Sequence, residues 1–129
     1  MNFTGANAIY QQIGNYVCEN ILRGTWAEGG KIPSIRELAV SIEVNPNTVL
    51  RSYNLLKEKD IIQDRRGLGY FVAGDGVEKT RRLLTDEFVT GELPRVFRTM
   101  DLLRLGIEDL KSHYLKYRHE HQRKERSES

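Results

Sequence analysis

Apolar residues recur at helical spacing from the start of the chain. Ile9, Ile13, Val17 and Ile21 repeat every four positions, and Tyr10, Tyr16 and Leu22 widen the stripe. That period predicts a helix over residues 7 to about 23, stopped by Gly24 and followed by a Glu28-Gly29-Gly30 loop. Cys18 falls on the flank of the stripe and reads as a small buried hydrophobe. A second period runs through Ile35, Leu38, Ala39 and Ile42, and its start is marked locally. Ser34 with Glu37 three residues on is a capping box, and Pro33 keeps the preceding chain extended. Glu43-Val44-Asn45 then makes a turn, with Val44 as an apolar plug between helices. The third helix opens with Asn45 as N-cap and Pro46 at the first helical position, where a missing N–H does no harm. Val49, Tyr53 and Leu56 form its core stripe, while Asn47, Arg51, Asn54 and Glu58 project outward with Thr48 nearby.

Beyond this helix the segments shorten. Ile61 to Arg65 and Gly69 to Ala73 are strand-like and are joined by Arg66-Gly67-Leu68. Gly67 and Gly69 allow the positive torsions of a tight hairpin and a close approach to a sugar-phosphate rail; Arg65 and Arg66 are expected at the tip. No helix follows the Gly-x-Gly, so a nucleotide-binding loop is set aside. The order helix, helix-turn-helix, hairpin describes a winged helix-turn-helix over residues 1–74. Residues 75–129 read as a two-helix tail. Asp75 with Glu78 suggests a capping pair, opening a helix to about Thr90 that Gly91-Glu92-Leu93-Pro94 breaks. From Pro94 onward Val96, Met100, Leu103, Ile107, Leu110, Tyr114 and Tyr117 alternate spacings of four and three, a heptad seam of the kind that pairs helices. Gly106 inside the seam lowers helix stability by about 1 kcal/mol relative to Ala. The stretch from His119 to Ser129 is polar and expected to fray. The fold class is therefore mainly α with a small β-hairpin: an N-terminal winged helix-turn-helix and a C-terminal dimerisation tail.

Composition narrows the function. The 129 residues suffice for one core plus an appendage, and a single cysteine excludes an intrachain disulfide or a cysteine-based zinc site. No apolar run approaches the roughly 20 residues of a membrane span and no apolar signal core opens the chain, so a cytoplasmic protein without membrane contact is expected. Net charge is only +2, from twenty basic and eighteen acidic residues. The placement of basic groups therefore matters more than their number. No nucleophile–base set or phosphate-cradling loop is evident, so no enzyme is expected. His113 and His121 lie about 12 Å apart on one helix, too far to share a metal, and His119 does not repair the spacing. No cofactor or metal is implied.

Several pieces in order resemble the N-terminal domain of the GntR family of bacterial transcription regulators: Ile9-Tyr10-Gln11-Gln12-Ile13, Gly24, Gly30, Ile32 to Ala39, Thr48-Val49, Tyr53, Leu56 and Gly67 to Val72. The resemblance implies a winged helix that binds a two-fold symmetric operator as a homodimer. Arg36 matches the family position that contacts phosphate or base, Asn47 and Thr48 match recognition-helix contacts, and Gly67 matches the wing residue entering the minor groove. Many relatives carry Arg where Pro46 and Leu50 stand here. The Asn45-Pro46-Asn47-Thr48-Val49 run with Arg51 and Tyr53 resembles instead the YtrA-type branch, whose tails are short and helical and which typically represses transporter operons.

The expected DNA-binding set is Ser34, Arg36, Asn45, Asn47, Thr48, Arg51, Arg65, Arg66 and Gly67. The expected dimerisation set is Val96, Met100, Leu103, Ile107, Leu110 and Tyr114. The partner is double-stranded DNA carrying a palindromic operator, and a small-molecule effector is unassigned. The competing reading is a winged-helix protein-interaction module without specific DNA binding.

Overall fold

The structure, a computed structural model, describes residues 8–128. Position 7, the expected first residue of the first helix, and Ser129 lie outside the described residues. In chain order the elements are α1 (Ile9–Arg23), α2 (Ile35–Ser41), α3 (Pro46–Glu58), β1 (Ile62–Arg65), β2 (Gly69–Val72), α4 (Gly76–Glu87), a π turn (Phe88–Glu92), α5 (Leu93–Leu103) and α6 (Ile107–Glu128). The chain divides into two compact units between Thr85 and Asp86, so most of α4 belongs to the first unit. This division lies eleven residues beyond the 74/75 boundary expected from the sequence.

In the first unit α3 packs on α1 and α2 around Ile13, Val17, Ile21, Leu38, Val49, Tyr53, Leu56, Ile61 and Val72, all essentially buried. Each such aliphatic side chain contributes about 1.5–3 kcal/mol by leaving water. Cys18 is buried among them as expected, whereas Ile9, the first member of the α1 stripe, is half exposed. Local sequence sets the helix ends. Gly24 closes α1 with a φ of 82°. Both halves of the Ser34–Glu37 capping box form, at 3.1 Å each. Asn45 Oδ1 accepts the Asn47 N–H at 2.8 Å, with Pro46 following as first helical residue. Two residues beyond the ends of α2 and α3 the chain takes a positive φ at a non-glycine residue, Glu43 at 55° and Asp60 at 58°. The amides that follow fold back, Val44 N–H to Ala39 O and Ile61 N–H to Leu56 O, both at 3.0 Å. This closure satisfies last-turn carbonyls and turns the chain sharply. It also seats Val44, half-buried, against the core as the expected plug.

The wing is an antiparallel β1–β2 hairpin with Ile62 opposite Val72 and Arg65 opposite Gly69. The segment from Gly30 to Ile32, at the end of the expected Glu28-Gly29-Gly30 loop, adds a third edge to it. Lys31 pairs with Phe71, Ile32 N–H donates to Tyr70 O at 3.0 Å, and Val72 N–H donates to Gly30 O at 2.9 Å. α4 closes the unit. Its Gly76 comes so close to β-strand neighbours that a Cβ there would meet Ile61 O at 2.7 Å and Val72 Cγ1 at 2.8 Å, and Thr80 is fully buried. Asp75 and Glu78 do not form the expected capping pair; they form ion pairs with Lys79 at 3.1 Å and Arg81 at 3.0 Å.

The second unit departs from the expected tail in three places. Gly91-Glu92-Leu93-Pro94 does not break the helix. It lies in the π turn and the first turn of α5, where the missing Pro94 N–H is harmless. The break falls at Arg104, with φ 58°, and Leu105 N–H folds back onto Met100 O at 2.9 Å. Gly106 then starts a new helix, its N–H donating to Asp109 Oδ2 at 2.8 Å. The heptad seam is therefore divided between α5 and α6 instead of running along one helix. The polar segment from His119, expected to fray, continues α6 as far as Glu128. No helix among the described residues is long and apolar enough to cross a membrane.

Candidate nucleic-acid interface

The outer face of α3 carries Asn47, Arg51, Asn54 and Glu58, all exposed, with Thr48 half-buried beside them. Opposite, Val49, Ser52, Tyr53 and Leu56 are buried. Two contacts hold this helix in place. The Tyr53 hydroxyl donates to Pro33 O at 2.7 Å, tying α3 to the entry of α2, and its ring meets Tyr70 of the wing edge-on at 4.8 Å. Burial, reinforced by Tyr70 and Glu37, pushes the Tyr53 phenol far above its ordinary range, so the hydroxyl stays a donor. Lys57 reaches Asp64 of β1 at 3.7 Å and adds a second, exposed tie between α3 and the wing.

Shallow grooves run along this face. One is lined by Tyr10, Asn47, Leu50, Arg51 and Asn54, and another by Ala8, Tyr10, Asn45, Asn47, Thr48 and Arg51. A third, beside the start of α3, is lined by Arg36, Val40, Val44 and Pro46. Arg36 shares a groove with Pro46, and Arg51 shares one with Asn45, Asn47 and Thr48. Ser34 is occupied as a cap, and its hydroxyl proton remains to donate. The Ser34 amide and hydroxyl, with Lys31 nearby, hold the Glu37 carboxyl below the usual carboxylate range.

The wing residues form a separate group. Leu68 N–H closes a turn onto Arg65 O at 2.9 Å, and Gly67 takes a φ of 77° that an L side chain resists. Arg66 and Leu68 are exposed at this tip. Arg65 is not at the tip. It ends β1, and its guanidinium lies 4.4 Å over the Phe71 ring. The predicted set thus divides into Ser34, Arg36, Asn45, Asn47, Thr48 and Arg51 around α3, and Arg65, Arg66 and Gly67 on the hairpin.

Two residues were missed. Lys31 is exposed beside the wing, and its Cε lies 3.1 Å from where a Gly69 Cβ would stand. Its alternation with buried Ile32 is the only signal the chain offered. Tyr10 belongs by spacing to the α1 stripe, yet Arg51 lies 3.8 Å over its ring. Nothing in the local pattern announces that contact, since the residues sit on different helices. Among the described residues no group of His, Cys, Asp or Glu is placed to hold a metal.

Similarity to known proteins agrees with this geometry. A Bacillus subtilis protein described as an uncharacterized HTH-type transcriptional regulator, YhcF, is 35% identical over 91 residues, covering 69% of this chain and 75% of its own length. The HTH-type transcriptional repressor YtrA of the same bacterium is 43% identical over 65 residues, half of each chain. A crystal structure of a GntR-family regulator from Bacteroides thetaiotaomicron superposes with a TM-score of 0.72 at 36% identity, over 88% of this chain and 99% of that one. These are transcription regulators and not enzymes. Residues 9–72, the span of α1 through the wing, match the family described as bacterial regulatory proteins, gntR family, and the chain belongs to that family as a winged helix-turn-helix DNA-binding regulator.

Proposed function

We propose that this regulator is a homodimeric repressor of its own operon, one encoding a transporter, and that it binds a palindromic operator. The observation that carries the reading is the capped start of α3, which shows Asn47, Thr48 and Arg51 outward on a helix locked from behind by Val49, Tyr53 and Leu56. Asn bonds adenine and Arg bonds guanine at two points in the major groove. Ser34, Arg36 and Asn45 set the helix on phosphates, and Arg65, Arg66 and Gly67 bring the wing to the adjacent minor groove.

Dimerisation rests on the tail. Val96, Leu103, Ile107 and Tyr114 are between 38% and 64% exposed, a density of apolar surface that a second copy would cover. Met100 is buried and Leu110 half-buried. A two-fold pair places two recognition helices about one DNA turn, near 34 Å, apart. The repressor assignment draws on YtrA, which is described as one and shares half its length with this chain.

Selection of bound sequences from random duplex DNA by the full chain tests the proposal. An inverted repeat with half-sites about one turn apart is the expected product. Arg51→Ala should then relax preference at one position of each half-site, and Arg36→Ala should weaken binding uniformly and reduce the salt slope by about 1. Recovery of no motif by a dimeric preparation would favour a protein-interaction module instead.

A further inference from the structure

We infer that Tyr10, on α1, is a positioning residue for base recognition: its ring is the platform that sets the Arg51 guanidinium in the orientation from which it reads DNA. The inference rests on the proposed role of the outer face of α3. Arg51 is exposed on that face, and its guanidinium carbon lies 3.8 Å from the centroid of the Tyr10 ring. Among the described residues no carboxylate pairs with it, so the ring is its principal partner. A guanidinium carries all five N–H donors in its own plane. Stacking uses the face of that plane and leaves the edge free, and the edge makes the two-point bond to guanine.

The ring is itself held in place. The Ser52 hydroxyl donates to the Tyr10 backbone carbonyl, and Ser52 is fully buried and adjacent to Arg51 in sequence. The same hydroxyl lies 3.2 Å from Thr48 O, so one buried group ties the start of α1 to the turn of α3 that carries Thr48 and Arg51. Tyr10 also lines both grooves that contain Asn47 and Arg51. α1 is thus more than a support for the core: its first turn forms one wall of the DNA-reading face. An unsupported arginine samples many rotamers and must lose that freedom on binding, whereas a stacked one has lost much of it beforehand.

The test is a double-mutant cycle with the full chain and its selected operator, together with an NMR readout that needs no DNA. In the unmodified protein and in Tyr10→Phe, the Arg51 side-chain protons should resonate upfield from the ring current; in Tyr10→Leu that displacement should vanish. Operator affinity should be unchanged in Tyr10→Phe, fall about two- to fivefold in Tyr10→Leu, and show no further loss when Tyr10→Leu is added to Arg51→Ala. Discrimination against a changed base pair at the Arg51 position should fall with it, while binding to random duplex stays the same. An additive cycle, an absent ring-current displacement, or an equal loss in Tyr10→Phe would overturn the inference, the last by showing that the hydroxyl contacts DNA itself. Sequence-selective binding that Arg51→Ala weakens and Tyr10→Leu does not would remove this inference alone. Absence of selective binding by the unmodified protein would remove the function reading with it. Coincident thermal melts of the Phe and Leu variants exclude misfolding as the cause of any difference.

Discussion

Replacing Tyr53 by Phe removes a single hydroxyl from the centre of the first unit. That hydroxyl is fully enclosed and donates to Pro33 O at 2.7 Å, across twenty residues of chain. Phe keeps the ring and its edge contact with Tyr70, an arrangement worth about 0.5–1.5 kcal/mol. What is lost is the hydrogen bond, and the part-buried Pro33 carbonyl is left without its partner. The net loss is about 1–2 kcal/mol, most of it the desolvation of an acceptor with no partner. For a unit of this size that corresponds to a fall in Tm of roughly 4–8 °C per kcal/mol. Urea unfolding followed by fluorescence measures it, because the single tryptophan, Trp26, is half-buried in this unit and packs edge-on to Tyr16 at 6.4 Å. The midpoint should fall with the slope unchanged.

The same substitution has a pH signature. The folded state holds the Tyr53 proton far above the ordinary phenol value near 10, while the unfolded chain releases it there. The associated stability is fully present below about pH 10 and is lost as pH rises beyond it, by up to about 1.4 kcal/mol per pH unit. Tyr53→Phe should flatten that alkaline decline, with Tyr70, whose phenol is also raised by burial, retaining a share. A variant within about 0.5 kcal/mol of the parent at neutral pH, declining as steeply in alkali, would mean that the Tyr53 hydroxyl is hydrated and that α3 is not anchored at Pro33.

Other substitutions probe the remaining joints. Gly76→Ala should destabilise the first unit by about 1–3 kcal/mol, since its Cβ would press on Ile61 O and Val72 Cγ1; calorimetry of the variant checks this. Ser34→Ala should lose about 1 kcal/mol at neutral pH in urea titration. It should also let the Glu37 carboxyl titrate closer to its ordinary value, visible by NMR. Glu37 helps stability above the unfolded carboxyl range and stops helping as pH falls through its lowered pKa, so the gap between the parent and Ser34→Ala should narrow in acid, leaving the loss of the Ser34 hydroxyl cap on the Glu37 N–H. Leu103→Glu with Ile107→Glu should turn a dimer into a monomer by sedimentation while leaving the melting of Trp26 unchanged; a persisting dimer would move the interface elsewhere on the chain.

The DNA-reading half was legible in the chain because its signals are local. Ser34 with Glu37, and Asn45 with Pro46, fix helix starts through bonds spanning two or three residues, and Gly67 declares a torsion that other residues avoid. The tail was less legible. Apolar spacing through Leu103 and Ile107 continues as if on one helix, because a period counts side chains and is blind to backbone turning at a non-glycine residue such as Arg104. Glycine and proline near position 92 suggested a break, but Pro94 in the first turn of a helix removes no bond that the helix needs.

By itself, then, the sequence determined the helix starts, the inward stripe of α3 and the tight hairpin, since each depends on residues within about a turn of one another. Tertiary structure alone decided which surfaces those elements share. Lys31 pairing with Phe71, Tyr53 reaching Pro33 and Tyr10 beneath Arg51 all join segments that the chain brings together only by folding. Such contacts depend on how helices and strands pack, and no short-range period in the residues encodes the packing.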